Sequence, residues 1–272
     1  MARVLSDADF VYRAPRNGHP HIVLLPGLVA GMWMWEPTLR ALEDAGYGYL
    51  TLVQPMAHGN DRAAPIAASV MDLMDRCGIE SAAMVGGSFG SRIALDCALA
   101  FPHRVTMVAL SGAPGAVTTG FLGVSFQGKV THAFGMALVH RIFYDRRTIP
   151  QREVGAMLEL FHDQRRAINA MRLMKESSGY SYADALARLA SPVLMIWGAH
   201  DFISPCEQWE SEFAPRARDG TFFKIERCGH VPMIERPDVF NALLLDRLTI
   251  YQRSCPCKRH RVVTHRDDTD AR

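Results

Sequence analysis

Short apolar runs alternate along this chain with longer stretches in which apolar residues recur every three or four positions. The short runs are "HIVLLPG" (21–27), "YLTLVQP" (49–55), "AAMV" (82–85), "VTMVALSGAP" (105–114), "PVLMIWGAHD" (192–201) and "GTFFKIERCGH" (220–230). Each reads as a buried strand closed by glycine, proline or a polar turn. The intervening patterns predict helices over "MWMWEPTLRALEDAGY" (stopped at Gly46), Pro65 to Cys77 (stopped at Gly78), Ser88 to Phe101 (stopped at Pro102) and Pro237 to Gln252. Strands apolar throughout that alternate with helices predict a mostly parallel sheet covered on both faces.

The stretch from Gly115 to Ala190 breaks the alternation. It holds helical runs such as "QREVGAMLELFHDQ" and "YADALARLA", opens with the Gly/Phe-rich "TTGFLGVSFQG", and offers no convincing strand. It is too long for a loop and reads as a helical insertion over the sheet edge. The expected organisation is therefore a core from 1–114, a helical cap or lid over 115–190, the rest of the core over 191–252, and a disordered charged tail over 253–272. Cys255, Cys257 and His260 in that tail have an unusual spacing for metal ligands, and no metal site is expected.

Composition narrows the picture. The 272 residues are enough for a large core, and a net charge of +2 with 21% charged residues points to neither nucleic acid nor an acidic partner. No apolar run is long enough to span a membrane, and "MARVLSDADF" lacks a signal-peptide core. Cys77, Cys97, Cys206 and Cys228 are scattered like reduced core residues. A cytoplasmic enzyme for a small-molecule substrate, monomeric or homodimeric and without a cofactor, is the expectation.

The chemistry centres on Ser88. Gly86, Gly87 and Gly90 hem it in at a junction where a strand passes into a helix with almost no loop. A turn this sharp strains the apex residue and leaves little room for neighbouring side chains. This is the G-x-S-x-G nucleophile-elbow pattern, which lifts a hydroxyl above the sheet. A serine nucleophile needs a base and an acid to orient that base. Asp201 directly follows one predicted strand and His230 another, both at carboxyl ends, in the order Ser, Asp, His. The strand before the insertion ends in "SGAP" and has no carboxylate, which leaves Asp201 as the acid. An oxyanion would be held by the backbone N–H of Phe89 and of Leu28, the latter in the turn after "HIVLLPG".

These segments together resemble the α/β-hydrolase fold superfamily, in its serine-hydrolase branch with a helical cap. "LLPGLVAGMWMWEPTLRALEDAGY" looks like the oxyanion-loop segment, "MVGGSFGSRIAL" the elbow, "VLMIWGAHD" the acid strand and "CGHVPMIERPDVF" the histidine loop. The resemblance covers roughly residues 20 to 250. It implies an α/β-hydrolase fold, with Ser88 as nucleophile, His230 as general base and acid, Asp201 as orienting acid, and Leu28 and Phe89 as oxyanion donors. Two departures stand out: Pro26-Gly27 replaces the usual His-Gly, and "QPMAHGND", which aligns with an Asp-x-x-Gly-x-Gly-x-Ser pattern, keeps only Gly59 of its glycines, with His58 beside it. Haloalkane dehalogenases and epoxide hydrolases use an aspartate nucleophile, which Ser88 argues against.

Ester hydrolysis is the default for this constellation. The apolar insertion, with Phe121, Leu122, Val124, Phe126, Phe134, Met136 and Phe143, suggests an apolar acyl or alcohol group. Trp35, Phe126 and Phe134 are the candidate pocket residues. Three alternatives stand beside this reading: carbon–carbon bond hydrolysis as in meta-cleavage-product hydrolases; a proline iminopeptidase-like peptidase, with Glu153, Glu159 or Glu176 binding the amine; and a receptor or biosynthetic protein with little hydrolysis.

Overall fold

The computed structural model describes residues 4–6, 9–16, 18–57, 62–114, 132–159 and 163–254. Among these residues, eight strands form one sheet in the order β1-β2-β4-β3-β5-β6-β7-β8. At one edge β1 (Val4–Ser6) and β2 (Phe10–Arg13) pair antiparallel, and β2 runs antiparallel to β4. The remaining strands, β3 (His21–Leu25), β4 (Gly48–Leu52), β5 (Ala82–Gly87), β6 (Val105–Ser111), β7 (Val193–Gly198) and β8 (Gly220–Ile225), are parallel to one another. One row of the sheet runs Thr51, Leu24, Val85, Ala109, Leu194, Thr221. Every residue of β5 and β7 is buried, as continuous apolar runs in a doubly covered parallel sheet should be.

The edge pair was not expected. In β2, Phe10 and Tyr12 are buried while Val11 and Arg13 are half-buried. The signal was a two-residue alternation, muted because Val11 on the outer face is itself apolar.

Helices α1 (Glu36–Asp44), α2 (Ala64–Arg76) and α3 (Phe89–Ala100) follow β3, β4 and β5. The predicted helix from Met32 is in two parts: a 3-10 turn over Met32–Trp35, then α1, with Pro37 in its first turn. Between β6 and β7 the described chain is helical: α4 (His132–Ile142), α5 (Gln151–Glu159), α6 (Gln164–Ser178) and α7 (Tyr182–Arg188). The single run anticipated over Gln151 to Gln164 is divided, because Asp163 caps a new helix by accepting from the amides of Arg165 and Arg166. After β7 come α8 (Cys206–Gln208), then α9 (Pro232–Glu235) and α10 (Pro237–Ser254). The final helix therefore takes in residues 253 and 254, two positions beyond the tail boundary expected at 252/253.

The inserted helices are tied to the core through Arg92 of α3, which is 6% exposed. Its guanidinium donates to Ser177 Oγ at 2.9 Å and Glu176 Oε1 at 3.1 Å on α6, and lies over the Tyr180 ring at 4.9 Å. Such a planar, multi-donor cation suits a buried junction between two elements.

Candidate active site

Parallel strands present their carboxyl ends at one edge, and the chemistry gathers there. β5 ends at Gly87 and α3 begins at Phe89, so Ser88 alone makes the turn. Its φ of 53° and ψ of −123° lie where an L residue is strained. The flanking glycines answer to space. A Cβ on Gly90 would run into the Leu25 carbonyl, and one on Gly86 into Ser91 Cα. A Cβ on Gly87 would sit 2.6 Å from Met34 Cε.

His230 follows β8 and Asp201 follows β7; they are 4% and 5% exposed. His230 Nδ1 lies 2.9 Å from Asp201 Oδ2 and 3.0 Å from Oδ1. Its Nε2 lies 3.0 Å from Ser88 Oγ. A carboxylate only accepts, so Nδ1 carries the proton and Nε2 is left to accept from the serine hydroxyl. Asp201 is itself fixed: Oδ1 accepts from the amides of Ile203 at 2.9 Å and Ser204 at 2.8 Å. Ser204 Oγ donates in turn to the Ala113 carbonyl. The three residues singled out from the sequence thus stand in one hydrogen-bonded line.

The loop after β3 closes over them. The carbonyls of Gly27 and Leu28 accept from Met56 and Ala57, and the Gly27 amide faces Met34 Sδ at 3.1 Å. A Cβ on Gly27 would be 3.5 Å from Ser88 Cβ, so this loop and the elbow are in contact. Leu28 and Phe89 both line the cavity that contains Ser88 and His230. The Phe89 amide, first in its helix, has no acceptor within the helix.

Apart from Ser88, Ser177 and His230, the described lining is backbone and apolar side chains, including Trp33, Met34, Ile142, Phe143, Val154 and Met174. Trp35 is not among them. It is fully buried, its ring 6.2 Å from that of Phe240 and beneath the elbow, because the 3-10 turn points Trp33 and Met34 toward the cavity. Phe126 lies outside the described residues, as do His58, Gly59, Cys255, Cys257 and His260; Phe134 falls within α4, but its side chain lies outside the description. Glu176 is held by Arg92 and by the Ala63 amide, and does not line this cavity. Among the described residues no cluster of three His, Cys, Asp or Glu side chains could hold a metal ion, and no helix is long and apolar enough to cross a membrane.

Two residues near the triad escaped the sequence reading. Gly112, just after β6 with φ of 59°, leaves room for His230: a Cβ there would be 2.9 Å from its Cε1 and 3.0 Å from its Nδ1. Glu235, on α9 and 3% exposed, accepts from the amides of Gly229, Tyr144 and Asp145. Burial pushes its carboxyl above the usual range despite those three donors. The only signal for either was its place beside a motif.

The sequence profile of the alpha/beta hydrolase family matches residues 22–243. Among curated proteins, the 2-hydroxy-6-oxo-6-phenylhexa-2,4-dienoate hydrolase of Comamonas testosteroni is 24% identical, over 90% of this chain and 92% of that one. The 2-hydroxy-6-oxononadienedioate/2-hydroxy-6-oxononatrienedioate hydrolase of Paraburkholderia phymatum is 27% identical, over 87% and 90%. Among solved structures, the 2-hydroxy-6-oxo-6-phenylhexa-2,4-dienoate hydrolase of Rhodococcus sp. strain RHA1 superposes with a TM-score of 0.73 at 21% identity, covering 92% of this chain and all of that one. A bacterial membrane phospholipase A superposes with a TM-score of 0.75 at 20% identity, covering 93% and 86%. Likeness at this identity shows the fold, and it spans different chemistries.

Proposed function

This chain belongs to the alpha/beta hydrolase family, whose members compared above are hydrolytic enzymes, and from that premise we propose that it is a serine hydrolase cleaving an ester or related acyl bond of a small, neutral, largely apolar substrate. The observation that carries the reading is the unbroken hydrogen-bonded line from Asp201 through His230 to Ser88, opening into an apolar cavity.

The chemistry follows from the geometry. Ser88 Oγ attacks the acyl carbon while its proton passes to His230 Nε2. Asp201 holds the ring in the required tautomer and stabilises the imidazolium that forms. The Leu28 and Phe89 amides hold the carbonyl oxygen as it becomes an oxyanion. His230 then gives the proton to the leaving alcohol, and an acyl-serine remains. Water attacks that acyl group with His230 as base, releasing the acid and restoring Ser88. The helices between β6 and β7 serve as a cap that shapes the acyl site and keeps water out.

A second reading is carbon–carbon hydrolysis, favoured by the names of the curated relatives, which are dienoate hydrolases. Their substrates carry a carboxylate, and the described lining of this cavity holds no Arg or Lys to meet one. The peptidase reading loses Glu176, which is engaged by Arg92. A panel of p-nitrophenyl esters, a 2-hydroxy-6-oxo-dienoate and a prolyl-arylamide, compared by kcat/KM, separates the three. We expect the neutral esters to lead and Ser88→Ala to lower their turnover by about 10⁵-fold or more. A dienoate preferred over every ester would overturn the ester reading in favour of the second, and turnover by Ser88→Ala within tenfold of wild type would remove the nucleophile. A ligand-induced thermal shift without turnover of any substrate would point to a receptor.

A further inference from the structure

Four hydrogen bonds tie together the end of α4, the loop that carries His230 and α9: three cross between the α4 end and the histidine segment, and one closes that segment on itself. The His230 amide donates to the Ile142 carbonyl at 2.8 Å. The Glu235 carboxylate bridges the other three. Its Oε1 accepts from the Gly229 amide at 2.8 Å, and its Oε2 accepts from the amides of Tyr144 and Asp145, both at 2.9 Å. Gly229 sits at the centre of this arrangement. A Cβ there would lie 2.6 Å from the Ile142 carbonyl oxygen, 2.8 Å from Glu235 Oε1 and 2.8 Å from the Tyr144 amide nitrogen, so the two segments are in contact over a gap that admits no side chain. Ile142 and Phe143, immediately before the bridged amides, line the cavity, and His230 is the next residue after Gly229.

We infer that Glu235 is a positioning residue for His230, clasping the histidine loop to the cavity wall formed by Ile142 and Phe143 so that the imidazole is aligned with Ser88 only while that wall is seated. The inference rests on the serine-hydrolase reading above and adds the device that couples the acyl site to the base. A carboxylate is the group the clasp requires. Three N–H donors converge on it from two segments, and both of its oxygens accept. A glutamine offers one accepting oxygen; its NH₂ must then face an N–H on one side, which opens one jaw while volume is conserved. Substrate packed against Ile142 and Phe143 presses on the same segment whose amides hold the carboxylate, so a well-filled acyl site favours the aligned histidine.

The test uses the full chain and a small alkyl fluorophosphonate, which reports the reactivity of Ser88 whatever the natural substrate is. Wild type, Glu235→Gln, Glu235→Asp and Gly229→Ala are compared at a temperature where circular dichroism shows each to be folded. We expect Glu235→Gln and Gly229→Ala to slow Ser88 labelling by roughly 10- to 100-fold, the scale of an ångström-sized misplacement of a catalytic group. Glu235→Asp, which keeps two accepting oxygens, should recover at least part of the loss. For p-nitrophenyl acetate, too small to fill the site, the loss should fall on kcat, with KM within about threefold of wild type. Should Glu235→Gln not fold, Gly229→Ala decides, since it forces the clasp apart and leaves the carboxylate in place. Folded variants that label within threefold of wild type overturn the inference. Aspartate no better than glutamine also overturns it, as this would make Glu235 a volume filler. Wild type that does not label at all is a different outcome: it removes the serine-hydrolase reading itself.

Discussion

Ser88 and Arg227 are the two non-glycine residues with positive φ among those described, and Ser88 occupies a conformation that glycine would adopt without strain. The hydroxyl at this apex thus comes with a backbone cost on the order of 1–3 kcal/mol. Ser88→Gly should accordingly be more stable than Ser88→Ala by on the order of 1 kcal/mol, although both lack the nucleophile; equal denaturation midpoints would mean that the elbow is not strained. Asp201→Asn should lower kcat by about 10⁴-fold with little change in melting temperature, because the amide can present its NH₂ to Nδ1 and favour the wrong tautomer. A near-silent Asp201→Asn would require another acid. Glu235 bears on pH. Burial raises its carboxyl pKa in the folded protein, so as pH falls the folded state takes up this proton before the unfolded chain does. The folded state then binds more protons, and this group's contribution to stability grows as pH falls through the window between the ordinary glutamate value and its raised one. The melting temperature of wild type relative to Glu235→Gln should increase from pH 7 toward pH 4; a difference that shrinks over that range contradicts the shift.

At the scale of elements, the cavity is divided between the loop after β3, which brings Leu28, Trp33 and Met34, and the inserted segment, which brings Phe143 just after α4, Val154 of α5 and Met174 of α6. α6 faces two ways. Leu173 is fully buried, whereas Met174 is half-buried and lines the cavity. Met174→Ala should therefore shift the preferred acyl chain toward longer esters while costing less stability than Leu173→Ala, for which about 2–5 kcal/mol is the usual loss at a filled core site. A p-nitrophenyl ester series from acetate to decanoate measures the first effect and urea unfolding the second. An unchanged chain-length profile would place Met174 outside the acyl site. The helical nature of this segment was legible because its apolar residues recur with helical spacing. Its internal boundary was not, since Asp163 starts a new helix by accepting from two backbone amides, a local event that the apolar spacing does not announce.

Across the whole molecule, Arg92 is one of the points at which the core holds the inserted helices, and a buried one. Its head group reaches Ser177 and Glu176 on α6, and Asp96 on its own helix at 3.5 Å. Glu176 is about one-third exposed, so solvent weakens that pair, but Arg92 itself is buried. Arg92→Met should cost on the order of 2 kcal/mol and increase proteolysis within residues 132–190 before the core is cut. Cleavage that begins in the core would mean that the insertion does not depend on this contact. The same residue shows what a sequence reading passes over: Arg92 lies in the elbow helix among apolar positions, and nothing near it in the chain announces partners 84 and 85 residues away.

The sequence by itself determined the parallel sheet, the elbow, and the order of Ser88, Asp201 and His230, because each is written locally. An apolar run with a turn signal makes a strand end, and glycines around a serine make the apex. The carboxyl ends of parallel strands necessarily share one edge. Tertiary structure decided what depends on packing between segments distant in the chain. It sent Trp35 under the elbow and turned Trp33 and Met34 toward the cavity, since a 3-10 turn redirects side chains that a continuous helix would have placed otherwise. It placed Gly112 against the His230 ring, gave Glu235 three amides from two segments, and added the antiparallel edge, where Phe10 pairs with Leu52 across a register that no local pattern specifies.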